Sequence, residues 1–243
     1  MLDLPQHFAQ RVSGFEQACA RLARRGTRRA GVVFLGDSLV EYYKGSLPWV
    51  NRGICSDHLQ WPVVNVLERL GPDRLHPNPQ AIVSLVGIND LNDDPDGVDR
   101  HAAAYGLMLG TLGRLYPSAR LVVCSLLPTA GPYAHLNPAV AALNQHLSAL
   151  AVSAGAGFLN LHQRFLDPAT GTARQGWLVD DGLHLSRRGY SELTALIEAE
   201  AMRLGLVEES GTSGPRPFRR RPFRTALPRA WQAVARRWPA RWA

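Results

Sequence analysis

Residues 31–43 read "GVVFLGDSLVEYY", an apolar, β-branched run that stops abruptly at Gly36-Asp37-Ser38. Strands buried on both faces read as continuous apolar sequence rather than as alternation, so the run predicts an interior strand. A turn at its end has no need of a hydroxyl, whereas a nucleophile does. Ser38 alone also fits a helix N-cap, so the meaning of this serine rests on the rest of the chain.

Four further stretches read as strands: 49–53, 81–87, 119–127 and 156–162. Between and around them lie helical patterns at 5–25, 58–70, 98–115, 138–154 and 187–205. The first of these carries Phe8, Val12, Phe15, Cys19 and Leu22 at spacings of four and three, one apolar stripe. Arg21, Arg24, Arg25, Arg28 and Arg29 then read as a solvated helix end. Strands alternating with helices predict a parallel sheet covered on both faces. In such sheets a site lies beyond the carboxyl ends of the strands. Ser38, Gly53 and Asn89 follow the first three strands and are expected at that edge.

The 243 residues, 46% of them hydrophobic, suffice for one sizeable core. Cys19, Cys55 and Cys124 are few and widely spaced, which gives neither a disulfide framework nor a zinc pattern. No secretory signal and no run of 18 apolar residues is seen, so a cytoplasmic protein is expected. The net charge of +7 is uneven: residues 211–243 hold nine arginines and no acid, and removing them leaves −2 for residues 1–210. The expected division is a folded unit over 1–207 and a basic linker and tail over 208–243. In the tail, Leu227, Trp231, Val234, Ala235 and Trp238 share one helical face, opposite Arg229, Arg236 and Arg237. That pattern fits a short interfacial helix that touches an anionic membrane surface. It fits equally a helix packed on the body or on a partner, and plain disorder is a third reading. Specific nucleic-acid binding is not expected.

The chain has no GxSxG, HExxH or Walker A motif, and no GxGxxG follows a strand. It does carry four blocks in order: Gly36-Asp37-Ser38, Gly53 in "NRGI", Gly87-Ile88-Asn89-Asp90, and Asp181-Gly182-Leu183-His184. Each alone has an ordinary reading as a cap or turn, but the four together resemble the SGNH hydrolases, the GDSL esterases and lipases, over about residues 31–200. "FLGDSLVEYY", "NRGI" and "DGLHLSRRGY" are most like the branch with thioesterase-like and platelet-activating-factor-acetylhydrolase-like esterases.

The resemblance implies a three-layer α/β/α sandwich with a five-stranded parallel, flavodoxin-like sheet. It implies hydrolysis of small or medium acyl esters through an acyl-serine intermediate, with no cofactor and no metal. Ser38 would be the nucleophile, His184 the base and Asp181 the group that orients it, with Asp180 a rival for that role. The oxyanion donors would be the N–H of Ser38, the N–H of Gly53 and the side-chain amide of Asn89. Acyl transfer or thioester hydrolysis would use the same residues, and a catalytically silent binding protein is the rival from another class. One departure stands out: Ile54-Cys55-Ser56-Asp57-His58 replaces a stretch in which many relatives have a second glycine and a threonine pair. His58 is expected to be a loop residue and Cys55 a packing residue. The acidic run at 92–96, "NDDPD", is expected to be solvated.

Overall fold

The strand run that ends at Ser38 is Ala30–Gly36, β1, and it lies at the centre of the sheet. The structure is a computed structural model that describes residues 4–24, 30–45, 49–59 and 65–206. The basic tail and its amphipathic segment lie outside the described residues.

Helix α1 (Leu4–Arg24) precedes β1, and the four-residue helix α2 (Ser38–Glu41) follows it. The remaining strands of the main sheet are β2 (Val50–Gly53), β3 (Pro79–Leu85), β4 (Arg120–Cys124) and β5 (Gly157–Leu159). All pairings are parallel, and the order is β2-β1-β3-β4-β5. This is the order of flavodoxin-like sheets. The sheet neighbours of β1 are β2 on one side and β3 on the other, so the connections that follow β1 and β3 run in opposite directions, the arrangement that opens a crevice beyond the carboxyl ends of such strands. Gly36 is paired with Gly53 on one side and Leu85 on the other. The residues that follow β1, β2 and β3 therefore start at one level.

Val32, Val33, Phe34 and Leu35 are all 2% exposed or less. Successive strand side chains point to opposite faces, so both faces of β1 are covered. Much of the cover comes from α4 (Val98–Leu115), α5 (Asn137–Ser153) and α7 (Arg187–Arg203). Tyr105, Met108 and Leu112 of α4, Leu143 and Leu147 of α5, and Leu193 and Ile197 of α7 are buried in the same core as β1. Each fully buried aliphatic side chain contributes about 1.5–3 kcal/mol. Helix α1 makes a smaller cluster, Val12 and Phe15 against Ile54 beyond β2. None of the described helices is long and apolar enough to cross a membrane.

One expected helix is absent in most of its described part. Over 58–70 the described backbone holds a parallel bridge between His58 and Asn65 and a single 3₁₀ turn, Val66–Arg69. Asn65 is extended, at φ −147° and ψ 148°, and its side chain caps that turn by accepting from the Glu68 N–H at 3.0 Å. An extended residue in mid-pattern ends any helix. Short elements escaped the periodicity reading: α2, α3 (Ile88–Asp93), α6 (Leu161–Phe165) and the hairpin of β6 (Leu166–Asp167) with β7 (Thr172–Ala173).

Candidate active site

The strand-to-helix turn after β1 is tight. A Cβ added at Gly36 would lie 2.1 Å from the Leu85 carbonyl oxygen, so only glycine lets the ends of β1 and β3 approach this closely. Asp37, and not Ser38, is the N-cap of α2: its Oδ1 accepts from the Leu39 N–H at 3.0 Å. Ser38 is thereby the first helical residue, and it is 5% exposed. Asp37 is fully buried, and burial pushes its carboxyl up to about 7 against the opposing Leu39 hydrogen bond.

The second piece arrives 146 residues later. Leu178 and Leu185 form an antiparallel bridge, and Val179 N–H donates to the His184 carbonyl at 2.9 Å, which closes a tight loop. Gly182 turns this loop at φ +78°, with the Ala130 carbonyl where a Cβ would stand. Inside it, Asp181 Oδ1 accepts from the N–H groups of Leu183 and His184 at 2.8 and 2.9 Å. Its other oxygen, Oδ2, lies 2.7 Å from His184 Nδ1, and His184 Nε2 lies 2.9 Å from Ser38 Oγ. Burial disfavours the Asp181 anion, but the Leu183 N–H and both bonds from His184 outweigh it, and the carboxyl is held below its ordinary range. An ionised carboxylate only accepts, so the network assigns the ring proton to Nδ1 and leaves Nε2 to accept from the serine hydroxyl. The Tyr42 ring lies beside the His184 ring, with centroids 5.7 Å apart.

The third piece comes from the ends of β2 and β3. Gly87, at φ +124°, starts α3, and Asn89 Nδ2 donates to the Asp57 carbonyl at 2.8 Å. Gly53 departs from its expected part. Its N–H donates to Asn51 Oδ1 at 2.9 Å, and a Cβ on it would lie 2.1 Å from the Glu41 nitrogen. The close approach it permits is between β2 and α2. The chain then turns over Ile54–Asp57, closed by Asp57 N–H to the Ile54 carbonyl at 3.1 Å. Ser56 in this turn has φ +60°, the one positive φ outside glycine among the described residues. Cys55 N–H donates to the Glu41 carboxylate of α2, while Asp57 accepts from Asn89. The turn thus bridges the helix of Ser38 and the loop of Asn89.

The model of the GDSL-like lipase/acylhydrolase family matches residues 11–191, a span that takes in every one of these groups. The chain belongs to that family. This GDSL-like acylhydrolase is 31% identical over 198 residues to platelet-activating factor acetylhydrolase IB subunit alpha1 of Bos taurus, across 75% of this chain and 79% of the relative. Its fold is similar to that of a GDSL-like lipase from Bacteroides thetaiotaomicron, with a TM-score of 0.63, 21% identity, and 79% and 97% of the two chains covered. It is likewise similar to the lipase/acylhydrolase from Enterococcus faecalis, with a TM-score of 0.59, 20% identity, and 75% and 100% covered. As a member of the family, the protein is an enzyme that acts on ester bonds.

Under the site the acylhydrolase carries a buried polar scaffold that the sequence reading missed. Arg69, 1% exposed, donates to the Arg52 carbonyl at 2.6 Å, to the Gly36 carbonyl at 3.1 Å and to the Asp57 carboxylate. One guanidinium so ties together the ends of β1 and β2 and the turn beyond them. Burial pushes the Asp57 carboxyl up to about 6 even with Arg69 beside it. Asp90 is buried too, which raises its carboxyl, and it accepts twice from Leu59 N–H, at 2.9 and 3.1 Å. The signal for this scaffold was an arginine inside the apolar run "VLERLG". The acidic run at 92–96 is more engaged than expected: Asp93 meets His58 Nε2 at 3.1 Å, and Asp94 pairs with Arg100 while its carbonyl meets His101 Nε2 at 2.9 Å.

Proposed function

We propose that the protein hydrolyses small or medium acyl esters through an acyl-serine intermediate, with Ser38 as nucleophile, His184 as general base and acid, and Asp181 as the group that orients the imidazole. The observation that carries this is the hydrogen-bonded row Ser38 Oγ, His184 Nε2 and His184 Nδ1, Asp181 Oδ2, at 2.9 and 2.7 Å. Ser38 Oγ attacks the ester carbonyl as its proton passes to Nε2. The imidazolium then protonates the departing alkoxide, and water repeats the sequence against the acyl-serine. Asp181 offsets the imidazolium charge without itself taking the proton.

The oxyanion is held by the N–H of Ser38 and the Asn89 amide. For the third donor the bond from Gly53 to Asn51 argues against the glycine expected from the sequence. Ser56 fits better. Its N–H has no acceptor among the described residues, takes no part in closing its turn, and lies between residues tied to α2 and to Asn89. Short acyl groups are favoured, by likeness to a relative described as an acetylhydrolase. The catalytic unit is residues 1–207, and truncation after Val207 leaves hydrolysis of a water-soluble ester intact. The deciding experiment is labelling with a fluorophosphonate followed by peptide mapping. Label on Ser38 supports the reading, and an unlabelled, folded protein rejects it.

A further inference from the structure

Next to the row of Ser38, His184 and Asp181 lies a groove of about 530 Å³ between the end of α2 and the start of α7, within the usual size of a small-molecule site. It shares a wall with the candidate active site. Tyr42 lines the groove and lies beside the His184 ring, and Tyr190 lines it while donating its hydroxyl to the carbonyl of Leu39, the residue after Ser38, at 3.0 Å.

The lining is one-sided in charge. Lys44 and Arg187 supply two cations and Ser191 a hydroxyl, the Thr194 hydroxyl donates to the Tyr190 carbonyl at 2.7 Å, and no carboxylate is among the described lining residues. Two of the nearby acids are occupied elsewhere, while Glu198, one turn beyond Thr194 on α7, acts on the neighbouring Tyr43. Glu41 faces His7 and Arg11 and accepts from Cys55 N–H, and Glu192 pairs with Arg164 at 2.5 Å. The first turn of α7 has no acidic residue and carries Arg187 and Arg188, although a helix N-terminus favours negative charge. Arg188 is drawn off over the Trp177 ring, 5.8 Å from its centroid. Arg187 stays on the groove. Lys44 and Arg187 therefore offer two exposed cations to one cavity beside the start of a helix.

We propose that this groove is a specificity subsite for an oxyanion group (phosphate, sulfate or carboxylate) carried by the ester substrate beyond the scissile bond. Lys44 and Arg187 hold the anion, and the hydroxyl of Ser191 adds a polar contact. This rests on the esterase reading above, so its test has one arm that needs no turnover.

In the first arm, kcat/KM is measured for 4-acetoxybenzoate and for its neutral methyl ester, which share the acetyl group and the phenolic leaving position. The wild type should prefer the anionic ester by about tenfold at low salt, mainly through KM, and the preference should shrink in 0.5 M NaCl, as expected of exposed charges. In K44Q/R187Q the ratio should fall to near one, whereas R114Q, an exposed arginine that does not line the groove, should keep it. A wild-type ratio of one, or a ratio unchanged in K44Q/R187Q, overturns the proposal. In the second arm, binding of inorganic phosphate is measured by calorimetry. Binding that is lost in K44Q/R187Q supports the subsite, and no binding by the wild type overturns it. Phosphate binding without any preference for the anionic ester would mean a free-anion site and would overturn the substrate assignment. If neither ester is turned over by the wild type, the esterase reading fails and the calorimetric arm alone judges the groove.

Discussion

Ser38, His184 and Asn89 make separable predictions. On the proposed roles, Ser38→Ala removes the nucleophile and His184→Ala the base, and each should lower kcat on an aryl ester by about 10³-fold or more while the fold is kept, as circular dichroism can check. Asn89→Ala should lower kcat by about 10²–10³-fold and leave KM nearly unchanged, because an oxyanion donor binds the transition state preferentially. A change in KM alone would make Asn89 a ground-state contact. Activity should fall on acidification, since Nε2 must be unprotonated to accept from Ser38. Asp181 is held ionised by its three hydrogen-bond partners and should not set the acid limb; Asp181→Asn should depress kcat through the wrong tautomer.

Helix α2 stands where it does because β2 runs against it without a side chain in between. Gly53→Ala would place a methyl group 2.1 Å from the Glu41 backbone nitrogen, where nothing flexible can yield. The expected cost is about 1–3 kcal/mol of stability, with a fall in kcat, as Ser38 rides on the displaced helix. Gly14→Ala in α1 meets no atom within 4 Å and should instead stabilise by about 0.5–1 kcal/mol. Thermal unfolding and ester turnover of both variants check this contrast. It also shows what was legible beforehand. β1 and β3 read clearly because burial on both faces leaves an unbroken apolar run. The blocks holding Ser38 and Asn89 stand out because they punctuate the ends of such runs, whereas the block holding Asp181 and His184 lies in a loop before α7 and stands out only by the family resemblance. A glycine at 53 is visible in the sequence, but the sequence does not say that it is α2 that packs against it. The parts of Asn51, Ser56 and Arg69 depend on backbone direction and on partners far along the chain. The helix expected over 58–70 had the right apolar spacing, yet Asn65 is extended and Arg69 turns inward to hold two strand-end carbonyls and the Asp57 carboxylate.

For the molecule as a whole, the buried carboxyls imply a slope of stability with pH. Asp37 titrates at about 7 when folded against an ordinary 3.8, because burial disfavours its charge. Between those values the folded chain holds a proton that the unfolded chain releases, so this contribution is fully present below about pH 4 and is lost as pH rises through about 7. The difference is worth up to roughly 4 kcal/mol. Asp37→Asn keeps an oxygen to accept from Leu39 N–H and removes the titration. Urea unfolding at pH 5 and pH 8 should therefore show a smaller difference for the variant than for the wild type. An undiminished difference would mean that Asp37 is ionised in the folded protein at both pH values. A different consequence follows from the 146 positions that separate His184 from Ser38. Synthesis runs from the N-terminus, so the strand bearing the serine leaves the ribosome long before the loop bearing the histidine. On the proposed roles, the nascent chain carries the serine without the histidine that activates it until residue 184 has been added, so an arrested chain that stops short of that loop holds an inert hydroxyl.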